Sequence, residues 1–465
     1  MIDLRIAIRN LLRNRRRSFA TFFALAIGTS SILLFGGFSA NIKYSMQTAY
    51  IRTGGHLQIQ HKDFFLYGNG SPAAYGIVNY KQILAAIQAD NSLSRDVSVV
   101  TPTLQFGGIA GNYAAGASRT VVGLGLVAAD HSRMRAWNEF GLPLIDPPFA
   151  LDGAPVTAAI VGIGVARVLQ LCDALKVPDC PKPAGRLETG GGELPADIAE
   201  LALREKPATA ALSDGLMPKI ELLASSSGGT PNVLSVEVIR AERQGFKELD
   251  EIYVVMQLPQ AQRLIFGRAP PEATSILVQL SRTESMRNAR EELTLLLSRV
   301  ASGQPLAVLG YDELNPFFVQ TIAMFDMFFG FIFALIGTIV LFTVSNTMNT
   351  AVVERTVEIG TVRAMGLRRS GIGRLFVLEG ALLGVSGAVT GALFALAAAA
   401  VVNAIGLTWL PPGSADRLPL VLLVWHEKAM MLGTTIGLIA IATLSAWWPA
   451  HRASRLAIVD ALRHV

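Results

Sequence analysis

Four apolar stretches of about the twenty residues needed to cross a hydrocarbon core constrain this chain more than any other feature. The first runs from Phe19 to Ala40 without a charge. The second runs roughly from Met327 to Ser345, the third from Leu375 to Ala404, and the fourth from Ala429 to Pro449. Residues 41–316, between the first and second, carry the prolines, glycines and charges of a soluble domain. Only 16% of the chain is charged, against roughly 25% in soluble proteins. The pattern predicts an α-helical membrane protein with four transmembrane helices plus a large α/β extracytoplasmic (periplasmic) domain inserted between spans 1 and 2. A cleaved signal peptide is the rival for the first stretch, and Ser39-Ala40-Asn41 is a passable cleavage context. Signal peptides carry apolar cores of about 7–15 residues, and this longer one favours an uncleaved anchor.

Arginine placement near span ends sets the orientation. Residues 1–18 hold six arginines against Asp3. The loop 346–374 holds Arg355, Arg363, Arg368, Arg369 and Arg374 against Glu354 and Glu358. The tail after 450 holds Arg452, Arg455 and Arg463 against Asp460. Between spans three and four, Asp416, Arg417, Glu427 and Lys428 cancel. Both termini and the 346–374 loop are therefore expected in the cytoplasm, making this a multi-pass protein of a bacterial inner membrane.

The expected organisation follows in order. Residues 1–18 form a cytoplasmic amphipathic helix, 19–40 a span, and 41–316 the periplasmic domain with an insertion near 172–217. Residues 317–346 form a stalk and span, 347–374 a cytoplasmic coupling loop, and 375–404 a span. A periplasmic loop at 405–428, a span at 429–449 and a cytoplasmic tail at 450–465 complete the chain. In the N-terminal helix, Leu4, Ile8, Leu11 and Leu12 share one face and Arg5, Arg9 and Arg13 another. This reads as an interfacial helix lying in lipid, with docking of a cytosolic partner as the alternative.

Small residues recur every four positions at Ala20, Ala24 and Gly28, at Gly380 and Gly384, and at Gly387 and Gly391. That spacing lets helix backbones approach closely in lipid, within one chain or between two. In the outer domain, 56–60, 119–127, 235–242, 251–257 and 274–281 read as strands. Lys81–Asn91, Pro259–Phe266 and Arg282–Ser298 read as helices. From about 178 to 232 the chain is rich in Pro, Gly and Ser, with Gly190-Gly191-Gly192 and one helix at Ala196–Arg204. It reads as a loop separating two subdomains. Cys172 and Cys180 flank a short turn with Pro178. They pair as a disulfide or stay as buried thiols, and an oxidising periplasm favours the bond.

Little here suggests catalysis. A phosphate-cradling P-loop needs Gly followed by Lys, and none of the nine lysines follows a glycine. His56 and His61, five apart on a strand, point to opposite faces and make a poor metal site. Carboxylate pairs such as Asp312-Glu313 and Glu291-Glu292 read as solvated surface, and no nucleophile elbow is present. Glu379 lies a turn inside the third span, where a carboxylate needs a partner; Arg374 and Arg363 are the candidates for an ion pair, with snorkelling as the alternative.

The informative segment is 350–371, TAVVERTVEIGTVRAMGLRRSG. Glu354 and Glu358 stand one turn apart, with Val357, Ile359, Val362 and Met365 interleaved. This predicts a short amphipathic helix ending at Gly366, acids early and arginines late in accord with the helix dipole. A short helix held between two spans is an element that a cytosolic motor can grip.

The pattern E-R-x-x-E-I-G-x-x-R-A-x-G at Glu354–Gly366 resembles the loop of MacB/LolC/LolE/FtsX-type ABC transporter permeases. Leu378-Glu379-Gly380, Arg9-Asn10-Leu11, Pro449-Ala450, Arg452-Ala453-Ser454 and Asp460-Ala461-Leu462-Arg463 fit the same family. Gly55-His56-Leu57-Gln58-Ile59 and the run from Val236 through Asp250 to Leu258 resemble its lipoprotein-releasing branch. The resemblance implies that Glu354, Arg355, Glu358, Ile359, Gly360, Arg363, Ala364 and Gly366 couple to an ATPase. It also implies a non-catalytic permease with no cofactor of its own, ATP and Mg being held by a separate ABC ATPase subunit. The other implied partners are a second permease copy or paralogue, membrane lipid, and a periplasmic carrier or adaptor protein; nucleic acid is not among them. The implied activity is extraction of a lipoprotein or lipid-linked substrate. Efflux through an adaptor and outer-membrane duct, or mechanical signalling to cell-wall hydrolases, are the alternatives.

Overall fold

The computed structural model describes residues 2–13, 15–68, 70–143, 148–178, 180, 217–244, 247–410 and 417–455. Most of the insertion expected near 172–217, with its helix at Ala196–Arg204, lies outside the described residues. So do the motif Asp460–Arg463 and the Leu4 side chain. The chain divides into two compact units, one of residues 1–45, 317–409 and 419–465, the other of residues 46–316 and 410–418.

The first unit is helical. Its elements are α1 (Ile2–Arg13), α2 (Arg15–Gly54), α3 (Pro316–Glu354), α4 (Thr356–Ala364), α5 (Arg369–Ile405) and α6 (Lys428–Arg455). Of these, α2, α3, α5 and α6 are long and apolar enough to cross a membrane. At a rise of 1.5 Å per residue, the 40-residue α2 and 39-residue α3 measure about 60 Å. Both run well past a hydrocarbon core of about 30 Å. Their apolar faces meet in one cluster, with Leu25 and Ile32 of α2, Val344 and Met348 of α3, Phe376 and Leu383 of α5, and Leu438 and Ala442 of α6. Thr21 and Thr347 share a 2.7 Å hydroxyl hydrogen bond between α2 and α3, satisfying two buried polar groups at once.

The second unit is built on nine strands. These are β1 (Leu57–His61), β2 (Val97–Asn112), β3 (Ala117–Leu126), β4 (Ala158–Gly162), β5 (Lys219–Ser225), β6 (Pro231–Glu242), β7 (Tyr253–Gln257), β8 (Ser275–Leu280) and β9 (Leu306–Gly310). Their order is β3-β7-β4-β6-β5-β2-β8-β1-β9, and β3 also pairs with β2. That extra pairing closes six strands into a ring, which removes their edges. Residues from all six strands meet in one core with the helix Leu258–Phe266, including Phe106, Val121, Val161, Leu222, Val238 and Met256. A second core joins Leu57, Ile59, Ile276 and Val278 to the helices Tyr80–Ala89 and Met286–Val300.

The two cores correspond to two lobes, and among the described residues they are joined rather than divided. They share β2, whose first half pairs with β8 and whose second half pairs with β3 and β5. The expected loop at 178–232 contains β5 and the start of β6. Along β5, buried Ile220, Leu222 and Ala224 alternate with exposed neighbours, the period of a strand with one face inward.

His56 shows how the polar face of this sheet is satisfied. It is fully buried, and its Nδ1 accepts from the Leu280 N–H at 3.0 Å. Nε2 therefore carries the proton and donates to Thr283 Oγ1 at 3.3 Å. Thr283 Oγ1 in turn donates to Glu139 Oε2 at 2.7 Å. Burial lowers the His56 pKa to about 4. His61 accepts from the Asp63 N–H, so the two histidines serve separate local contacts. Cys172 and Cys180 are disulfide-bonded, with Cα atoms 6.2 Å apart.

Candidate functional site

The segment singled out in the sequence folds as a break between two helices. α3 ends at Glu354, Arg355 leaves helical geometry, and α4 begins at Thr356. Glu354 therefore belongs to the end of a span helix rather than to the short helix expected to contain both glutamates. α4 closes where Met365 N–H donates to Thr361 and Gly366 N–H to Arg363. Gly366 has φ +102°, a conformation that L side chains rarely adopt, so the turn after α4 needs glycine.

Arg355 is the buried residue of this turn. Its Nη1 donates to Glu379 Oε1 at 3.2 Å and its Nη2 to the Asn10 carbonyl at 3.0 Å. Asn10 Nδ2 donates to the same Glu379 oxygen at 2.7 Å. Glu379 is thus held by Arg355 and Asn10, not by the expected Arg374 or Arg363. Arg374 stands five residues before Glu379 on α5, which turns it about 140° away around the helix axis. Asn10 stands in the sequence only within the family-like Arg9-Asn10-Leu11, and its role as a partner of Glu379 follows from the packing of α1 on α5.

α1 packs on this centre. Ala7 is fully buried and Leu11 joins the helical core, while Ile8 and Leu12 stay exposed. The apolar face assigned to lipid is therefore split, one part facing α5 and its neighbours. Arg13 makes a two-bond contact with Glu358, both distances 2.9 Å, and Arg17 contacts Glu354 at 2.9 Å. These outer pairs are about half exposed, so each contributes at most roughly 1 kcal/mol.

The side chains of α4 sort differently from the expected amphipathic pattern. Ile359 and Gly360 are buried, while Val357, Val362, Ala364 and Met365 are exposed. With Val353 at the end of α3, 71% exposed, and Met365, 74% exposed, they leave apolar surface beside Glu354 and Glu358. Arg363 is half-buried. Among the described residues no group of three or more His, Cys, Asp or Glu side chains could hold a metal ion.

The glycine pairs of α5 lie where other helices come close. A Cβ on Gly384 would stand 3.0 Å from Ala442 Cβ of α6, and one on Gly380 would collide with Ala446. A Cβ on Gly387 would stand 2.5 Å from Leu25 Cβ of α2, and one on Gly391 would strike the Ala26 carbonyl. Of the three small residues spaced along α2, Gly28 meets Ile336, while Ala20 is exposed and Ala24 half-buried. The inward face of α2 is instead Thr21, Leu25, Thr29 and Ile32.

Residues 327–458, which include most of α3 and all of α4, α5 and the described α6, match the FtsX-like permease C-terminal family. This part of the chain is FtsX-like. An uncharacterized ABC transporter permease of Methanocaldococcus jannaschii is 20% identical over 227 residues, 49% of this chain and 54% of that protein. The macrolide export ATP-binding/permease protein MacB of Bradyrhizobium diazoefficiens is 30% identical over 172 residues, 36% of this chain and 25% of that protein. The chain thus spans about half, or less, of the length of these relatives. The periplasmic region of MacB from Actinobacillus actinomycetemcomitans aligns with 57% of this chain and 94% of that one, at 11% identity. Its TM-score is 0.32, too loose a superposition to carry the fold across. The FtsX-like segment and the four long apolar helices make this a multi-pass membrane protein.

Proposed function

We propose that the chain is the permease subunit of an ABC transporter, working as a dimer with a second copy or paralogue and with separate ATPase subunits that hold ATP and Mg. The observation that carries this reading is α4, a short helix between two span helices that leaves Val353, Val357 and Met365 uncovered beside two carboxylates. An apolar strip with a charged margin suits a protein partner, since a large exposed apolar patch marks an interaction surface. In this reading both termini and α4 are cytoplasmic and the nine-stranded unit lies outside. ATPase closure pushes on α4, Arg355 carries the displacement to α5 through Glu379, and the outer unit answers.

For the substrate we favour a lipoprotein or another lipid-linked molecule drawn from the membrane, on the motif around His56 and the run to Leu258. Small-molecule efflux with an adaptor is the second reading, favoured by the likeness to a macrolide export protein. Release requires a soluble carrier and efflux requires a duct, so co-purifying partners separate the two.

The test of the coupling reading replaces Val357 and Met365 together by serine. Both side chains are exposed, so the fold should persist while ATPase co-purification and transport-linked ATP turnover fall at least tenfold. Gly366→Pro should do similar damage by changing the turn. Full ATPase association in the Val357→Ser/Met365→Ser variant would remove the proposal.

A further inference from the structure

The inward and outward faces of α1 differ in kind. Inward, Ala7 is fully buried, Leu11 joins the helical core and Asn10 is bonded to Glu379. Arg5 and Arg9 each stand two residues from Ala7, which turns them about 160° away around the helix axis. Both are exposed, and neither has a hydrogen bond or an acidic partner among the described residues. Arg13 and Arg17 differ in this, being paired with Glu358 and Glu354. Exposed Ile8 and Leu12 border the two arginines on one side, and exposed Ile6 borders them on the other.

Chain connection and packing together fix where this face lies. α1 ends at Arg13, and α2, long and apolar enough to cross a membrane, begins at Arg15. The uncharged run of α2 starts at Phe19, only about 6 Å along the helix from Arg15. Through Asn10, α1 is also bonded to Glu379 in a second helix of spanning length. α1 is therefore held at the boundary of the hydrocarbon.

Water at that boundary would suit the arginines but not three bare apolar side chains. Hydrocarbon would suit the apolar side chains, but an unpaired cation there is expensive. The headgroup layer suits both, with guanidinium groups forking phosphate and the apolar margins reaching the acyl chains. A zwitterionic headgroup brings its own cation, whereas an acidic one offers the two arginines net negative charge. The rival occupant is an acidic protein surface. Laid over α1, it would also meet Glu358 and Glu354, which stand beside Arg13 and Arg17 at the margin of this face. We propose that the outward face of α1 binds the headgroups of acidic phospholipids, with Arg5 and Arg9 gripping the phosphate. Asn10, on the inward face, bonds both Glu379 and Arg355, so the bound lipid also braces that buried pair. The site does not depend on the transporter reading.

The full chain in phosphatidylcholine nanodiscs tests this, with bimane attached at Ile6→Cys while Cys172 and Cys180 stay bonded to each other. Brominated phosphatidylglycerol should quench the label at a mole fraction at least tenfold lower than brominated phosphatidylcholine does. Arg5→Gln with Arg9→Gln should erase that preference, and Ile8→Ser with Leu12→Ser should weaken it independently. The same charge removal at exposed Lys81 and Arg95 of the nine-stranded unit should leave it intact. Unlabelled wild type should melt higher in discs containing phosphatidylglycerol, since a ligand of the folded state stabilises it. Free glycerol 3-phosphate should not displace the lipid. Equal quenching by the two lipids in wild type, or an unchanged preference in both α1 variants, overturns the proposal. So does displacement by glycerol 3-phosphate, which would mark a soluble phosphate site. Loss of ATPase co-purification with the lipid preference intact would assign the face to a protein instead.

Discussion

Arg355 Nη1 and Glu379 Oε1 lie 3.2 Å apart, with side chains only 7% and 2% exposed, and Asn10 binds both residues. The ion pair joins the turn before α4 to the interior of α5. Breaking a buried pair by removing one member costs roughly 3–5 kcal/mol, because the other charge stays buried alone. Replacing both with apolar residues of similar volume is often neutral. Glu379→Ala should therefore lower the melting temperature sharply, while Arg355→Met with Glu379→Leu should recover most of it. ATP turnover coupled to transport should stay low in the double variant, because the polar link is gone. Equal melting of Glu379→Ala and wild type would mean that the pair is not formed.

Glu358 pairs with Arg13 on α1, so a defect in Glu358→Lys has two sources, a lost internal pair and a reversed charge toward the partner. The charge swap Arg13→Glu with Glu358→Arg separates them. Stability of either variant should change by no more than about 1 kcal/mol, the scale of an exposed pair. If Glu358 acts on the ATPase, the swap should bind it as weakly as Glu358→Lys does in a pull-down. Restored binding would assign the glutamate to α1 alone.

Orientation is open to direct labelling. Ser71 and Arg368 are both exposed, one in the nine-stranded unit and one just before α5. Single cysteines at these sites, in a Cys172- and Cys180-free background, should respond oppositely to an impermeant thiol reagent on outer-membrane-permeabilised cells. Ser71→Cys should label and Arg368→Cys should not. The reverse pattern would invert the topology.

His56 ties the stability of the outer unit to pH. Its folded pKa, about 4, lies below the ordinary histidine value of about 6.5. The unfolded chain therefore binds the proton first as pH falls. The full contribution is present above about pH 6.5 and is lost progressively down to about pH 4, to a total of roughly 3 kcal/mol. The melting temperature of wild type should fall across that window. In a His56→Gln variant the fall should be shallower, and parallel pH curves would exclude His56 as the titrating group.

The membrane helices were legible because length and the absence of charge suffice to reveal them. Five strands were legible because β-branched residues cluster in them. β2 was not, since Pro102, Gly107, Gly108 and Gly111 punctuate it as a loop would. Its partners decide its structure: a Cβ on Gly108 would stand 2.7 Å from the Leu223 carbonyl of β5, so the glycine marks close strand approach rather than a turn. In the candidate site, the sequence placed Arg355 beside the two glutamates, as though all three faced outward. Burial of one and exposure of two depends on α1 and α5, which are hundreds of residues apart in the chain. No local pattern encodes that meeting.

A strand shared by two lobes also limits how they can come apart. Neither half of β2 can be released without unzipping the ladder on which the other core is built. Slow amide exchange should consequently be continuous from Val99 to Ile109, with no weak joint at the lobe boundary, so that both lobes open as one foldon. The architecture thus runs one stiff keel through both lobes.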